Sequence, residues 1–430
     1  MARTWRKYFV TNSGQVPVGA LTGARFSILP LVTLSALIED TVIRIGIEQI
    51  CRSSKGALVG RRLGLLANQA STDSRFIHSR DLVRQAFPGQ LTCLFSPQHG
   101  FFSEKQDNMV ESDHGLDLES GLPIYSLYGE TRKPYPAMFA DIDVLLVDLI
   151  DVGTRVYTFI WTVVHCLEVA KETGVKVVIL DRPNPIGGHL VEGNLLRTDC
   201  ASFVGRCAIP MRHGLTIGEL ALFCNQELMI NADLEVVRMS GWQRTLFFPA
   251  TGYPWVFPSP NMPSFTAALV YPGQVIWEGT NISEARGTSL PFELFGAPFL
   301  QHREVLASLR SIDLPGCCLR PLRFEPTSGK WTGQGCNGFQ IHVTDCEQFR
   351  PYRTSLALLQ ALQILYPGQF AYKKPPYEYE FERLPMDLII GDRRVREALE
   401  QGVPLLEIEH GWQAELEDYR QRCRAVFLYD

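Results

Sequence analysis

The 430 residues contain no glycine-rich phosphate loop, neither a G-x-G-x-x-G after a strand-like run nor a Walker sequence. A dinucleotide or nucleoside triphosphate therefore has no recognisable cradle. H-E-x-x-H and similar ligand spacings are missing, and the nine histidines are scattered, so no metal is expected. A G-x-S-x-G nucleophile elbow is absent too. Together these absences give the expectation of no cofactor. Lysine and arginine form no block, and the net charge is -5. Nucleic acid is thus not an expected partner, because phosphate binding needs clustered cations. Stable membrane insertion is not expected either. The apolar stretch Phe26 to Ile38 is broken by Pro30 and followed by Glu39-Asp40, well short of the about 20 residues of a membrane span. Although Arg3, Arg6 and Lys7 precede it, it reads as an extension or first helix. The eleven cysteines are odd in number and follow no paired spacing. Adjacent Cys317-Cys318 suit neither a zinc knuckle nor a redox pair, while Cys93, Cys166 and Cys224 sit in apolar runs as small buried residues do. A reducing cytoplasm is the expected compartment, with export to the periplasm as the alternative.

What is present is a large apolar fraction, 46%, against 20% charged residues, enough for a soluble core in two or three domains. The stretch Asp143 to Pro185 organises it. An apolar run (Val144 to Leu149) leads through Asp151-Val152-Gly153-Thr154-Arg155 into a helix-like segment ending near Glu172. Gly174 closes that segment, and a second apolar run (Val175 to Leu180) ends in Asp181-Arg182-Pro183-Asn184-Pro185. This is a β-α-β pattern. The crossover makes its strands parallel, so both polar ends point the same way, where open α/β sheets bind ligands. Asp148, Asp151, Arg155, Tyr157, Asp181, Arg182 and Asn184 are therefore expected in one cleft.

Further strands are predicted at Arg61 to Ala70, ending in Asn68-Gln69, at Leu91 to Phe95, and at Phe203 to Ile209; a helix is predicted at Ser79 to Phe87. The polar segment Phe102 to Gly121 has no apolar period, and a loop of ~20 residues after a strand end reads as a lid. Thr216 and Glu219 have capping-box spacing ahead of a helix reaching about Leu228. Near Asn231 the composition changes; Leu234 to Met239 reads as a strand, and Gly252 to Pro298 is dense in proline, glycine and aromatics. The expected organisation is an N-terminal extension (1–55), a Rossmann-like parallel α/β domain (56–232) and a smaller α+β domain (233–430), with the cleft between the last two. The last part is read as a strand (Gly338 to Val343), a helix (Thr354 to Leu365), an aromatic-rich loop (Tyr372 to Phe381) and a final helix (Glu409 to Leu428).

Carboxylates, amides, arginines and aromatics at strand ends suit a sugar site, and two carboxyl groups suffice for glycoside hydrolysis. Each candidate also has a plainer reading: Asp148 and Asp151 as helix caps, Arg182 as an ion-pair partner, His99 as a core histidine. Glu278, Asn281, Glu284 and Arg286 are costly to bury without a purpose.

The segments SPQHG, GLPIYSLYG, DVGTRVYTF, LDRPNPIGG, VEGNLL, IPMRHGLTIGEL, PSPNMP, YPGQVIWEGTNISEARGT and PFELFGAP occur in that order. On them the chain resembles the exo-acting β-N-acetylmuramidases, a glycoside hydrolase family once known only as a domain of unknown function. The resemblance implies the two-domain fold above and a central cleft. It also implies cofactor-free release of terminal N-acetylmuramic acid from peptidoglycan fragments, so the implied partner is an amino-sugar or muropeptide substrate. Arg155, Arg182 and Arg286 are candidates to hold the sugar's carboxylate, which a guanidinium meets in a bidentate pair. Asn68, Tyr157, Asp181, Asn184, Glu192, His213, Asn261, Glu278 and Asn281 are the other candidate substrate contacts. One departure matters. The family motif reads S-P-E-H-G, with that Glu as the implied catalytic carboxyl, and here the position is Gln98. An amide supplies no proton. A neighbouring loop departs as well, reading DNMVES. Three accounts stay open: another acid acts beside His99 (Glu104, Asp107, Glu111, Asp151 or Glu284), the reaction differs, or the cleft binds sugar without turnover.

Overall fold

The computed structural model describes residues 42–430 except 54 and 108. The basic N-terminus and the apolar stretch 26–38 lie outside the described residues. Residues 42–430 form one compact unit. Its centre is a seven-stranded sheet in the order β3-β4-β2-β1-β5-β6-β9. The strands are β1 (Leu63–Ala67), β2 (Leu91–Ser96), β3 (Gly115–Leu116), β4 (Pro123–Ser126), β5 (Val144–Asp148), β6 (Lys176–Leu180) and β9 (Leu234–Val237). All pairings are parallel except the β3–β4 edge.

Central strands read as unbroken apolar runs because both faces are covered. Val144 and Leu146 of β5 and Val178 and Leu180 of β6 pack into one cluster with Ile47, Ile50, Leu82 and Val83, which lie on helices Gly46–Ser53 and Ser79–Ala86. Leu145, Val147, Val177 and Ile179 pack into the other, with the helices Phe159–Thr173 and Ile217–Glu227. The crossover helix Phe159–Thr173 ends where Gly174 takes φ 74°, a left-handed cap that glycine adopts without a Cβ clash. Thr216 and Glu219 form the expected capping box.

The second cluster does not stop at the first sheet. It continues through Trp277, Phe295 and Phe339 into a three-stranded antiparallel sheet, β10-β12-β11 (Leu294–Ala297, Cys336–Val343 and Cys317–Phe324). The expected division at 232/233 would cut β9 away from the large sheet. The strand expected at Phe203 to Ile209 is instead a turn, with Ser202 bridged to Gly205. The ordered strands there are β7 (Glu192–Leu195) and β8 (Pro210–Arg212). The final helix is two, Leu405–His410 and Gln413–Cys423, parted by Gly411-Trp412. Helix Phe265–Gln274, with Pro272 inside it, was hidden by its proline and glycine content.

Arg155 joins the two halves. Its guanidinium is fully buried and donates to four backbone carbonyls: Asn194 and Ile209 (both 3.2 Å) and Ile389 and Ile390 (both 2.7 Å). The last two end the helix Pro385–Ile390, and Gly391 (φ 77°) closes it; a Cβ there would stand 2.6 Å from the guanidinium. The expectation that Arg155 holds a substrate carboxylate is thereby corrected, because its donors point at main-chain oxygens that water cannot reach. Arg155→Met is expected to lower the unfolding free energy by about 3 kcal/mol or more, as several hydrogen bonds from a charged donor are lost. Urea denaturation measures it, and a loss under about 1 kcal/mol would show that the four carbonyls find other partners.

Candidate functional site

The chain after β2, the chain after β5 and the segment 375–379 meet in a narrow recess. Gln98 follows β2. Thr158 precedes the crossover helix, and its hydroxyl donates to the Gln98 Oε1 at 2.6 Å. That bond orients the amide, so Gln98 Nε2 faces the Glu378 Oε1 at 3.2 Å. Tyr128, in the segment after β4, donates to the Glu378 Oε2 at 2.6 Å. Glu378 is thus a buried carboxyl held by two neutral donors. Burial pushes its pKa up to about 7; the charge of Glu278 adds to the rise, while Tyr128, Gln98 and Arg286 oppose it. His99 lies beside it at φ 75°. Its Nδ1 is 2.7 Å from the Lys105 carbonyl, which only accepts, so Nδ1 carries the proton and Nε2 is bare. Burial pulls the imidazole down to about 4, so it is neutral near pH 7.

The recess has a volume of about 30 Å³, space for about one water. It opens past Glu278, Arg286 and Tyr377, which line it and also an outer cavity of about 550 Å³, a volume within the range of small-ligand sites. Glu278 accepts from Tyr377 and from Arg286, both at 2.7 Å. Arg286 Nε is also 3.4 Å from Glu284. The Lys330 ammonium contacts Glu284 (2.7 Å) and the carbonyls of Trp277 (2.6 Å) and Ile282 (3.0 Å). Burial opposes the Glu284 charge, but Lys330 and Arg286 outweigh it and hold the carboxyl below its usual range. Asp107, Met109, Asn281, Trp331 and Lys373 complete the outer cavity.

Eleven described residues other than glycine have positive φ, and five of them (His99, Met109, Phe292, Trp331 and Glu378) line the recess or the outer cavity. Each costs of order 1–3 kcal/mol. Strain gathered at one place is retained where surroundings dictate the conformation, which marks this cleft rather than any other surface.

Against the expected constellation, Gln98, His99, Tyr157, Asn261, Glu278 and Arg286 line the recess, and Asp107, Asn281 and Glu284 line the outer cavity. The remainder are elsewhere. Asp148 and Arg182 form a buried ion pair at the strand ends, with Nη2 to Oδ2 at 2.7 Å, and cap no helix. Asp181 accepts from Thr216, Gly218 and Tyr429; Asn184 bonds the Leu215 carbonyl and the Ile186 N–H. Asp151 accepts from Gly153 and His213, closing a turn. Glu192 accepts the Arg353 N–H, and Asn68 ties the Pro258 carbonyl. Glu104 and Glu111 are exposed, Glu111 contacting Arg132 and Tyr379. The segment expected as a lid is pinned, since Met109 N–H donates to Tyr128 OH and Ser112 N–H to the Tyr128 carbonyl.

Two family models, the N-terminal and C-terminal parts of exo-β-N-acetylmuramidase NamZ, match residues 63–266 and 269–429. The chain belongs to this family. It is 39% identical over 387 residues to the peptidoglycan β-N-acetylmuramidase NamZ of Bacillus subtilis (strain 168), covering 90% of this chain and 91% of the relative. Two crystal structures of DUF1343 family proteins from Bacteroides fragilis NCTC 9343 superpose with TM-scores of 0.82 (32% identity, 91% of this chain, 100% of the other) and 0.70 (28%, 90% and 99%).

Glu378, Tyr128, Thr158, Tyr377 and Lys330 were missed. Glu378 sits in PPYEYEF, read only as an aromatic-rich loop; a carboxylate set between two tyrosines in an apolar context was the available signal. The folded state keeps the Glu378 proton up to about 7, whereas a free carboxyl releases it near 4.5. Wild-type stability is therefore lost as pH rises through that window. Glu378→Gln has no such proton and is expected to gain on the wild type across it, by up to roughly 3 kcal/mol. Urea midpoints at about pH 4.5 and pH 8 read this; a pH-independent difference would rule out the raised carboxyl.

Proposed function

We propose that this chain is a glycosidase that releases terminal N-acetylmuramic acid from peptidoglycan fragments, with Glu378 in the acid role that Gln98 cannot fill. The observation that carries this is a buried carboxyl, raised to about 7, beside a second carboxylate held by Arg286 and Tyr377. A glycosidic oxygen leaves as an alcohol only if it is protonated, and a carboxyl still protonated near neutrality can donate. Glu278 then faces the developing positive charge at the anomeric carbon as a carboxylate. The sugar and its linkage occupy the outer cavity at the mouth of the recess, where Glu278, Arg286 and Tyr377 line both spaces, because the recess itself admits about one water. Gln98 donates to Glu378 and fixes which face of the carboxyl meets the linkage. All eleven cysteines are free thiols, which supports a reducing compartment as the place of work. Among the described residues no helix is long and apolar enough to cross a membrane.

Incubating the purified protein with peptidoglycan fragments or a chromogenic N-acetylmuramide, and following free N-acetylmuramic acid, tests the reading; saturable binding without product would replace it by a sugar-binding role. Turnover is expected to fall as pH rises through about 7, where Glu378 loses its proton. Glu378→Gln is expected to lower kcat by about 10²- to 10⁴-fold. Gln98→Glu would place two carboxyl groups at the 3.2 Å contact, so one must stay protonated and the alkaline limb is expected to move to higher pH. An unmoved limb would assign the acid elsewhere.

A further inference from the structure

The substrate proposed above is an acid, and the outer cavity already holds the carboxylates of Asp107, Glu278 and Glu284 on its wall. A fourth carboxylate enters such a space only where a cation is available to meet it. Three arginines were candidates from the sequence. Arg155 spends its guanidinium on four main-chain carbonyls. Arg182 is paired with Asp148. Arg286 does line the cavity, but Glu278 and Glu284 share its charge. Lys330 is likewise committed, to Glu284 and two carbonyls.

Lys373 differs. It lines the same cavity, its side chain is exposed, and it makes no ion pair among the described residues. Its backbone is held in place, the N–H donating to the Gly279 carbonyl at 2.9 Å. The ammonium lies 5.7 Å from the centroid of Tyr377, whose hydroxyl donates to Glu278. The cation is therefore placed on one side of the cavity over a ring whose hydroxyl touches Glu278. Trp331 borders the same cavity, with its indole N–H on the Asn281 carbonyl at 2.6 Å and its ring tilted 75° to Phe299. A flat apolar wall and one uncommitted cation are what an acidic sugar needs: a surface for the ring's C–H face and a counter-charge for its appendage.

Resting on the proposed substrate, we infer that Lys373 is the specificity-determining residue of this cleft: its ammonium meets the carboxylate of the acidic sugar, and the buried arginines do not. A flexible ammonium at a cavity mouth suits a carboxylate on a rotatable ether arm, which a rigid guanidinium fork would constrain.

Equilibrium binding by titration calorimetry tests this without requiring turnover, using free N-acetylmuramic acid and N-acetylglucosamine, which lacks the acidic arm. The wild type is expected to favour the acidic sugar. Lys373→Met is expected to weaken N-acetylmuramic acid about five- to tenfold, as loss of one partly desolvated ion pair does, and to leave N-acetylglucosamine where it was. Raising the salt to about 0.5 M should shrink the wild-type preference and leave the variant unaffected. Arg286→Gln serves as the contrast: if it, and not Lys373→Met, erases the preference for the acid, the assignment to Lys373 is overturned while the substrate reading stands. A wild type that binds both sugars equally also overturns it. A wild type that binds neither overturns the substrate reading and this inference together, an outcome distinct from the other two. Because Lys373 is exposed, its replacement leaves the core untouched.

Discussion

A single carboxyl, Glu378, is kept out of water by residues from opposite ends of the chain. Gln98 and Tyr128 reach it from the carboxyl ends of β2 and β4, and Glu378 itself arrives some 250 residues later. A buried carboxyl with only neutral donors is expensive to ionise. Its place therefore rests on both halves of the molecule being packed as one, which the shared apolar core and the Arg155 clamp secure. The left-handed backbone at Glu378 and Tyr379 is a local cost of presenting that carboxyl inward, borne by the stability of the surrounding core.

Much of the other charge in the protein's interior is matched close by: Asp148 with Arg182, Glu219 with Arg244, and Arg155 with its carbonyls. Removing one member of such a set leaves its partner uncompensated, so these residues are tightly constrained without touching a ligand. The cleft has matched pairs too, in Glu278 with Arg286 and Glu284 with Lys330. Beside them stand Glu378, a buried carboxyl whose side-chain donors are neutral, as those of Asp181 are elsewhere, and, at the mouth, Lys373, which makes no ion pair among the described residues.

Ligand binding in open α/β sheets is expected where the strand order reverses, here between β1 and β5. That crevice is filled by the chain itself: Ser71 bonds the Asp148 carbonyl, and Ser79 and Arg182 take the Asp148 carboxylate. Asn68 beside it is tied to Pro258. With the switch point plugged, the open cleft lies to one side, over the ends of β2 and β5 and beneath the segments 278–286 and 375–379. That displacement separates Asp181, Arg182 and Asn184 from the candidate site.

What the sequence alone determined is the part governed by local pattern. Apolar runs marked β1, β2, β5, β6 and β9, the crossover helix carried its apolar faces and its Gly174 cap, and the ordered motifs identified the family. Spacing also distinguished the capping role of Glu219. Which polar residues meet was decided only by tertiary structure. A strand end shows that a side chain leaves the sheet near the cleft, but whether it faces a cavity or another side chain depends on what packs above it. Glu378 and Lys373 come from chain more than 180 residues beyond the central unit, and the strand expected at Phe203 to Ile209 formed instead at Pro210–Arg212, paired with β7. Burial and long-range pairing are properties of the packed whole, and no window of sequence contains them.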